Sequence, residues 1–174
     1  NGRKIAYVAA TRAEKTILTP GAGENSPGVF RAYDSTLLNE TIKKAKAQSD
    51  IVILYIHWGA ENENRIEDII RKQGKEYIDS GADVIIGAHA HQLQGIEFYK
   101  GKMIAYNLGN YLFNGYRIDT GLMEVCIDEA KKWGMEAWCY DENGWLTEIQ
   151  TYFDDSLHLT RQYIRDDFGN AIRT

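Results

Sequence analysis

The chain has 174 residues, 44% hydrophobic and 26% charged, with a formal net charge of −5. That is long enough for one domain with its own core, and its mild acidity argues against a nucleic-acid surface, which would want a basic stripe. No apolar run reaches the roughly 18 residues of a membrane span, and no stretch has the pattern of a secretory signal peptide.

The chain opens without methionine on NGRKIAYVAATR, a segment that already reads as strand over Lys4 to Ala10 and suggests a piece of a longer protein. Thr11 to Phe30 is loop, punctuated by Pro20-Gly21, Gly23 and Pro27-Gly28. Asp34 or Ser35 then caps a helix through about Gln48, with Leu37, Leu38, Ile42 and Ala45 on one side. Ile51 to Ile56 is a continuous apolar run, the mark of a central parallel strand, and His57-Trp58-Gly59 follows at once. A helix from about Arg65 to Ser80 carries Ile66, Ile69, Ile70, Tyr77 and Ile78, tolerates Gly74 and stops at Gly81. Asp83 to Ile86 is the next buried strand, ending at Gly87 and delivering His89 and His91. This βαβαβ order predicts right-handed crossovers and a parallel sheet covered by helices.

The pattern then changes. Gly95 to Tyr99 and Lys102 to Tyr106 read as a hairpin about Lys100-Gly101. Gly121 to Asp128, Met135 to Tyr140 and Trp145 to Tyr152 read as an antiparallel meander. A turn at Lys132 and Trp133 would set Val125 opposite Tyr140 and Ile127 opposite Trp138, and would let Cys126 and Cys139 face each other. Such a pair supports a disulfide in an oxidising compartment, or two reduced thiols acting as small hydrophobes. The tail, Ser156 to Phe168, reads as an amphipathic helix on Leu157, Tyr163, Ile164 and Phe168, with His158 at its surface. Lys100, Lys102, Lys131 and Lys132 mark turns.

Three of the four histidines sit at carboxyl ends of strands, where open α/β sheets bind ligands. Neutral imidazole is a common ligand for Zn, Mn and Fe. His89 and His91 are two apart among the small residues Gly87, Ala88 and Ala90, and His57 ends the neighbouring strand, about 4.8 Å away. A histidine at a strand end is otherwise a solvated or hydrogen-bonded residue. Asn107 and Asn110 flank Gly109, as substrate contacts, as groups orienting a ligand, or as turn residues with special backbone angles. Glu61 and Glu63 follow HWG as a ligand or general base, or as the solvated start of a helix. Trp58 and Tyr106 read as pocket wall or as core.

Taken together, HWG with Glu61, IDSGADVIIGAHAHQLQGIE and YKGKMIAYNLGNYLF resemble the C-terminal half of the CapA-type bacterial capsule-synthesis proteins, over about Asp50 to Phe113. That family is associated with poly-γ-glutamate capsule production and is related to the calcineurin-like metallophosphoesterases. The resemblance implies an α/β metallophosphoesterase-like sandwich, with residues 1–174 forming the C-terminal part of a single domain. It implies a divalent metal (Mn, Fe or Zn), two in the full-length protein, with His57 and His89 on one ion and His91 on the other. Asn107, Asn110 and Glu61 would be the catalytic candidates, in hydrolysis or transfer at a phosphoester or amide-like bond. It further implies an anionic capsule polymer or phosphoester as substrate, membrane-bound synthesis partners, and a bacterial cell-surface location, membrane-associated or extracellular. Two departures stand out: Ala88 occupies a position where the family usually has histidine, and nothing in Asn1 to Asp50 matches the superfamily's first three motifs. The site would then need an N-terminal half absent from this chain. The other reading is a non-catalytic surface component that keeps the fold and binds polymer.

Overall fold

A computed structural model describes residues 2–12, 20–110, 120–127, 133–140, 146–153, 156–165 and 171–173. Residues 13–19 of the long loop, Phe113, Asp128, Lys131, Lys132, Trp145 and Phe168 lie outside the described residues. Two compact units emerge, Asn1–Asn107 and Leu108–Thr174.

In the first unit, β1 (Ile5–Thr11), β2 (Ile51–His57), β3 (Val84–Ala88), β4 (Ile96–Tyr99) and β5 (Lys102–Ala105) form one sheet in the order β1-β2-β3-β5-β4. β1, β2, β3 and β5 are parallel, and β4 closes one edge antiparallel as the hairpin partner of β5. The crossovers are α1 (Ser35–Lys46) between β1 and β2, and α2 (Asp68–Asp79) between β2 and β3. The α/β architecture expected from the alternation of apolar runs and helical stripes is therefore present.

One face of the sheet is helical. Val8, Val52, Leu54, Ile56 and Ile85 pack in one cluster with Leu38 and Ile42 of α1 and Ile70, Tyr77 and Ile78 of α2. The odd-numbered neighbours on the other face include Tyr7 and Tyr55, which are 76% and 51% exposed. The helix stripes are narrower than the sequence suggests, because Leu37 and Ile69 are exposed. Asp34 caps α1, its carboxylate accepting from the Thr36 N–H at 2.9 Å; that bond lowers the acid's pKa. α2 starts at Asp68, three residues later than expected, and Gly81 at φ 117° follows its end. Gly74 sits inside α2 for a packing reason. A Cβ there would lie 3.2 Å from Ile104 Cδ1 and 3.4 Å from the Trp58 ring.

Asp83 ties the amino ends of the strands together. Its buried carboxylate accepts from the Val52 N–H at 2.8 Å, from Lys46 Nζ at 2.8 Å and from Lys102 Nζ. Lys102 is thus more than the turn marker its position suggests. At the other end of β1, the loop is pinned by Thr11 N–H to Phe30 O and Ala32 N–H to Thr11 O, at 2.8 and 2.7 Å.

The second unit is an antiparallel sheet in the order β10-β9-β8-β7-β6. Its strands are β6 (Thr120–Ile127), β7 (Trp133–Tyr140), β8 (Leu146–Phe153), β9 (Ser156–Arg165) and β10 (Ala171–Arg173). Three expectations are corrected here. Residues 156–165 are strand rather than helix. The sequence LHLTRQYI alternates Leu157, Leu159 and Tyr163 with polar residues, a period of two that the helical reading passed over. His158 therefore falls on a strand. The β6–β7 register sets Val125 opposite Met135 and Ile127 opposite Trp133, not Tyr140 and Trp138. Cys126 consequently faces Gly134, and Cys139 faces Gly121. The cysteines are offset by the five residues from Gly134 to Cys139. At about 3.4 Å per residue that is roughly 17 Å, far beyond the span of a disulfide.

Candidate functional site

Parallel register brings the carboxyl ends of the strands into one line. Thr11 stands beside His57, and His57 beside Ala88. The His57 and His89 rings lie 4.5 Å apart between centroids, and His89 and His91 lie 6.3 Å apart. The two strand ends thus bring His57 and His89 together, with His91 farther out as the second partner of His89.

The backbone that presents them is unusual. β3 ends at Ala88, and the next residues run through left-handed conformations at His89 (φ 105°) and His91 (φ 57°). A residue with a Cβ pays for such angles, and they concentrate where the surroundings demand a particular side-chain direction. The facing loop is locked to this one. The Trp58 N–H donates to Ala88 O at 3.0 Å and the Asn62 N–H to Ala90 O at 2.8 Å. Asn62 itself has φ 60° and turns the chain so that Glu61 Oε1 stands 3.8 Å from His91 Nε2. Glu61 is well exposed, with 60% of its side chain open to solvent.

The asparagines separate. Asn107 is buried at the carboxyl end of β5, its carbonyl accepting from the Gln94 N–H at 3.0 Å. Asn110 falls in the second unit, just past Gly109 at φ 73°, in keeping with the turn reading. Trp58 and Tyr106 are fully buried core residues. Tyr106 Oη donates to Glu97 at 2.8 Å, and Lys75 reaches the same carboxylate at 2.8 Å. Burial alone would raise the Glu97 pKa, but the bonds from Lys75 and Tyr106 hold it below the ordinary value.

Two residues near the site carry no distinguishing signal in the sequence. The Arg12 N–H donates to His57 O at 2.7 Å and so fixes the end of β2 against β1. Burial pushes the Tyr77 hydroxyl up to about 12, against the pull of the Arg12 charge. Gln94, nearly buried, donates from Nε2 to Glu63 O at 2.8 Å and ties the histidine loop to the HWG loop. A polar residue in QLQG was the available signal, and it has no periodic pattern to single it out.

The donor chemistry can be tested against a divalent ion. Ring nitrogens bond such ions at about 2.0–2.1 Å, so two imidazoles 4.5 Å apart can reach one ion. Among the described residues, no group of three or more His, Cys, Asp or Glu side chains converges as a ligand set. What the geometry offers such an ion is one histidine pair, His57 and His89, with His91 and Glu61 beside it.

Sequence comparison now places the chain. The model of a family described as bacterial capsule synthesis protein PGA_cap matches residues 1–115. The chain belongs to this capsule-synthesis family. It is 42% identical over 93 residues to the PGA biosynthesis protein CapA of Bacillus subtilis, covering 53% of this chain and 24% of that protein. It is 34% identical over 118 residues to the capsule biosynthesis protein CapA of Bacillus anthracis, covering 66% and 28%. A protein of Sinorhizobium fredii, y4sH, is 34% identical over 86 residues, covering 46% and 18%. The chain therefore spans about a quarter of the length of the capsule proteins it matches. All of the histidine site lies inside the part matched by the PGA_cap family.

Proposed function

We propose that this chain supplies the histidine-bearing strand ends of a metal-dependent capsule-synthesis protein. The longer protein would act at the bacterial cell surface in poly-γ-glutamate production, hydrolysing or transferring at a phosphoester or amide-like bond. The observation that carries this reading is the pairing of His57 with His89, ring centroids 4.5 Å apart, and of His89 with His91, 6.3 Å apart, at the carboxyl ends of two neighbouring strands, two of the three in left-handed backbone. His57 and His89 would hold one divalent ion (Mn, Fe or Zn), with His91 turned toward a second position. Such an ion serves as a Lewis acid for a phosphoryl or carbonyl oxygen. Glu61 would orient His91 or accept a proton from a reacting group, and its exposure leaves it open to a substrate. Asn107 would hold the loop shape from its buried position rather than touch substrate. Anionic polymer, membrane-bound synthesis partners and a membrane-associated or extracellular setting belong to this proposal. No helix among the described residues is long and apolar enough to cross a membrane.

A second reading is a polymer-binding or assembly component without catalysis. It is favoured by Ala88, which stands where the family usually has histidine. Elemental mass spectrometry on this chain and on the full-length protein distinguishes the two. About two metals in the longer protein and fewer here support the first reading. Background metal in both supports the second. Replacing His89 and His91 together by alanine should abolish capsule formation, and persistent capsule would sink the metal reading.

A further inference from the structure

We infer that Trp58 is a positioning residue that holds the ends of β2, β3 and β5 at a fixed spacing. Trp58 follows His57 directly and is 1% exposed. Its indole N–H donates to the carbonyl of Tyr106 at 3.1 Å, and Tyr106 directly precedes Asn107. The bond thus runs from the end of β2 to the end of β5, strands separated in the sheet by β3. What it passes over is Gly87, two residues before His89. A Cβ on Gly87 would lie 1.9 Å from Tyr106 O and 2.4 Å from Trp58 Nε1. The strap therefore closes only because β3 carries no side chain there. The Trp58 N–H, bonded to Ala88 O at 3.0 Å, adds a second tie to β3.

The ring is also wedged. It stacks on Tyr77 of α2 at 6.2 Å and on Tyr106 at 5.9 Å, nearly parallel to both. One side chain thereby sets the separation of His57 from His89 and holds α2 over the same strand ends. Groups bonded directly to metal-binding imidazoles are worth about 10- to 100-fold in affinity; Trp58 acts one step further out, through the strand backbone, so its loss belongs at the low end of that range. The inference rests on the metal reading for its functional sense, but its geometry can be probed in metal-free protein.

The test uses the full-length protein and two replacements at position 58. Trp58→Phe keeps an aromatic ring and removes the N–H. Benzothienylalanine at the same position keeps the whole bicyclic shape and removes only the donor, so it carries the test if Trp58→Phe fails to fold. Leu38→Ala, in α1 and away from the histidines, controls for lost stability. Zn2+ affinity is measured by calorimetry, and the histidine Cε1–H resonances of the metal-free protein by NMR. Both position-58 variants should bind Zn2+ about tenfold more weakly and broaden the His57 and His89 signals. Leu38→Ala should do neither at an equal or larger loss of thermal midpoint. Unchanged affinity and line widths in the benzothienylalanine protein, or equal losses in the control, would overturn the inference. If the wild-type protein binds no Zn2+, Mn2+ or Fe2+, the metal reading fails and the line widths alone decide the positioning role.

Discussion

At the scale of the residue, the histidines were legible because each follows an apolar run that stops abruptly. IVILYI and DVIIG read as central strands of a parallel sheet, and polar residues at their carboxyl ends sit where open α/β sheets bind ligands. What was not legible is the backbone strain, since φ depends on where the loop must go. His89 at φ 105° holds an angle that glycine adopts freely and alanine does not. This gives a test of whether the loop keeps a shape that function requires. Both His89→Ala and His89→Gly remove the imidazole, but only glycine relieves the strain. With strain at such angles of order 1–3 kcal/mol, partly offset by glycine's unfolded-state entropy, the net difference should be about 1 kcal/mol. The metal-free His89→Gly protein should then melt about 4 °C above His89→Ala. Equal midpoints by calorimetry would mean that the loop relaxes once the ring is gone and that the angle stores nothing.

Element-scale reading succeeded where one force dominated and failed where two patterns competed. The parallel strands and the two helices follow from burial and periodicity alone. The tail carries two patterns at once: Leu157, Tyr163 and Ile164 fit a helical stripe, while Leu157, Leu159 and Tyr163 fit one face of a strand, and the strand pairs with β8. The β6–β7 register differs from the expected one because that one centres on a turn at Lys132 and Trp133, whereas Trp133 is already strand and pairs with Ile127. The Asp83 clamp was invisible for a different reason, since its partners come from three distant segments. Burial would raise its pKa, but the bonds from Lys102, Lys46 and the Val52 N–H outweigh that and lower it. A carboxylate with a lowered native pKa stabilises the fold above its unfolded pKa of about 3.9 and loses that contribution as pH falls through the native value. Asp83→Asn should therefore cost about 1–3 kcal/mol at pH 7. The gap to wild type should narrow as the pH drops below about 4. Urea titrations at pH 7 and pH 3 check both parts. A gap that stays constant with pH would show that the carboxylate's charge is not what holds the strands.

At the scale of the whole molecule, the division after Asn107 makes a claim about cooperativity. The clustered core, from Val8 to Tyr106, lies inside the first unit. So do both helices, all four parallel strands, the Asp83 clamp and the three clustered histidines. β6 opens the second unit on bonds of its own, with the Thr120 hydroxyl and the Gly121 N–H both donating to Leu108 O. A segment of about 100 residues with its own core is within the usual range of an autonomous domain. Residues 1–107 expressed alone should fold and unfold in one cooperative transition by circular dichroism. Their Trp58 fluorescence should follow the same curve, since Trp58 sits between the sheet and α2 and reports on both. The full chain should then show this transition at nearly the same denaturant concentration. If the fragment instead unfolds gradually, or the two probes part company, the first sheet depends on the residues beyond Asn107. The histidine site would then have to be studied only in the longer chain. A sharp, coincident transition would make residues 1–107 the smallest piece on which metal binding by His57, His89 and His91 can be measured free of the antiparallel sheet.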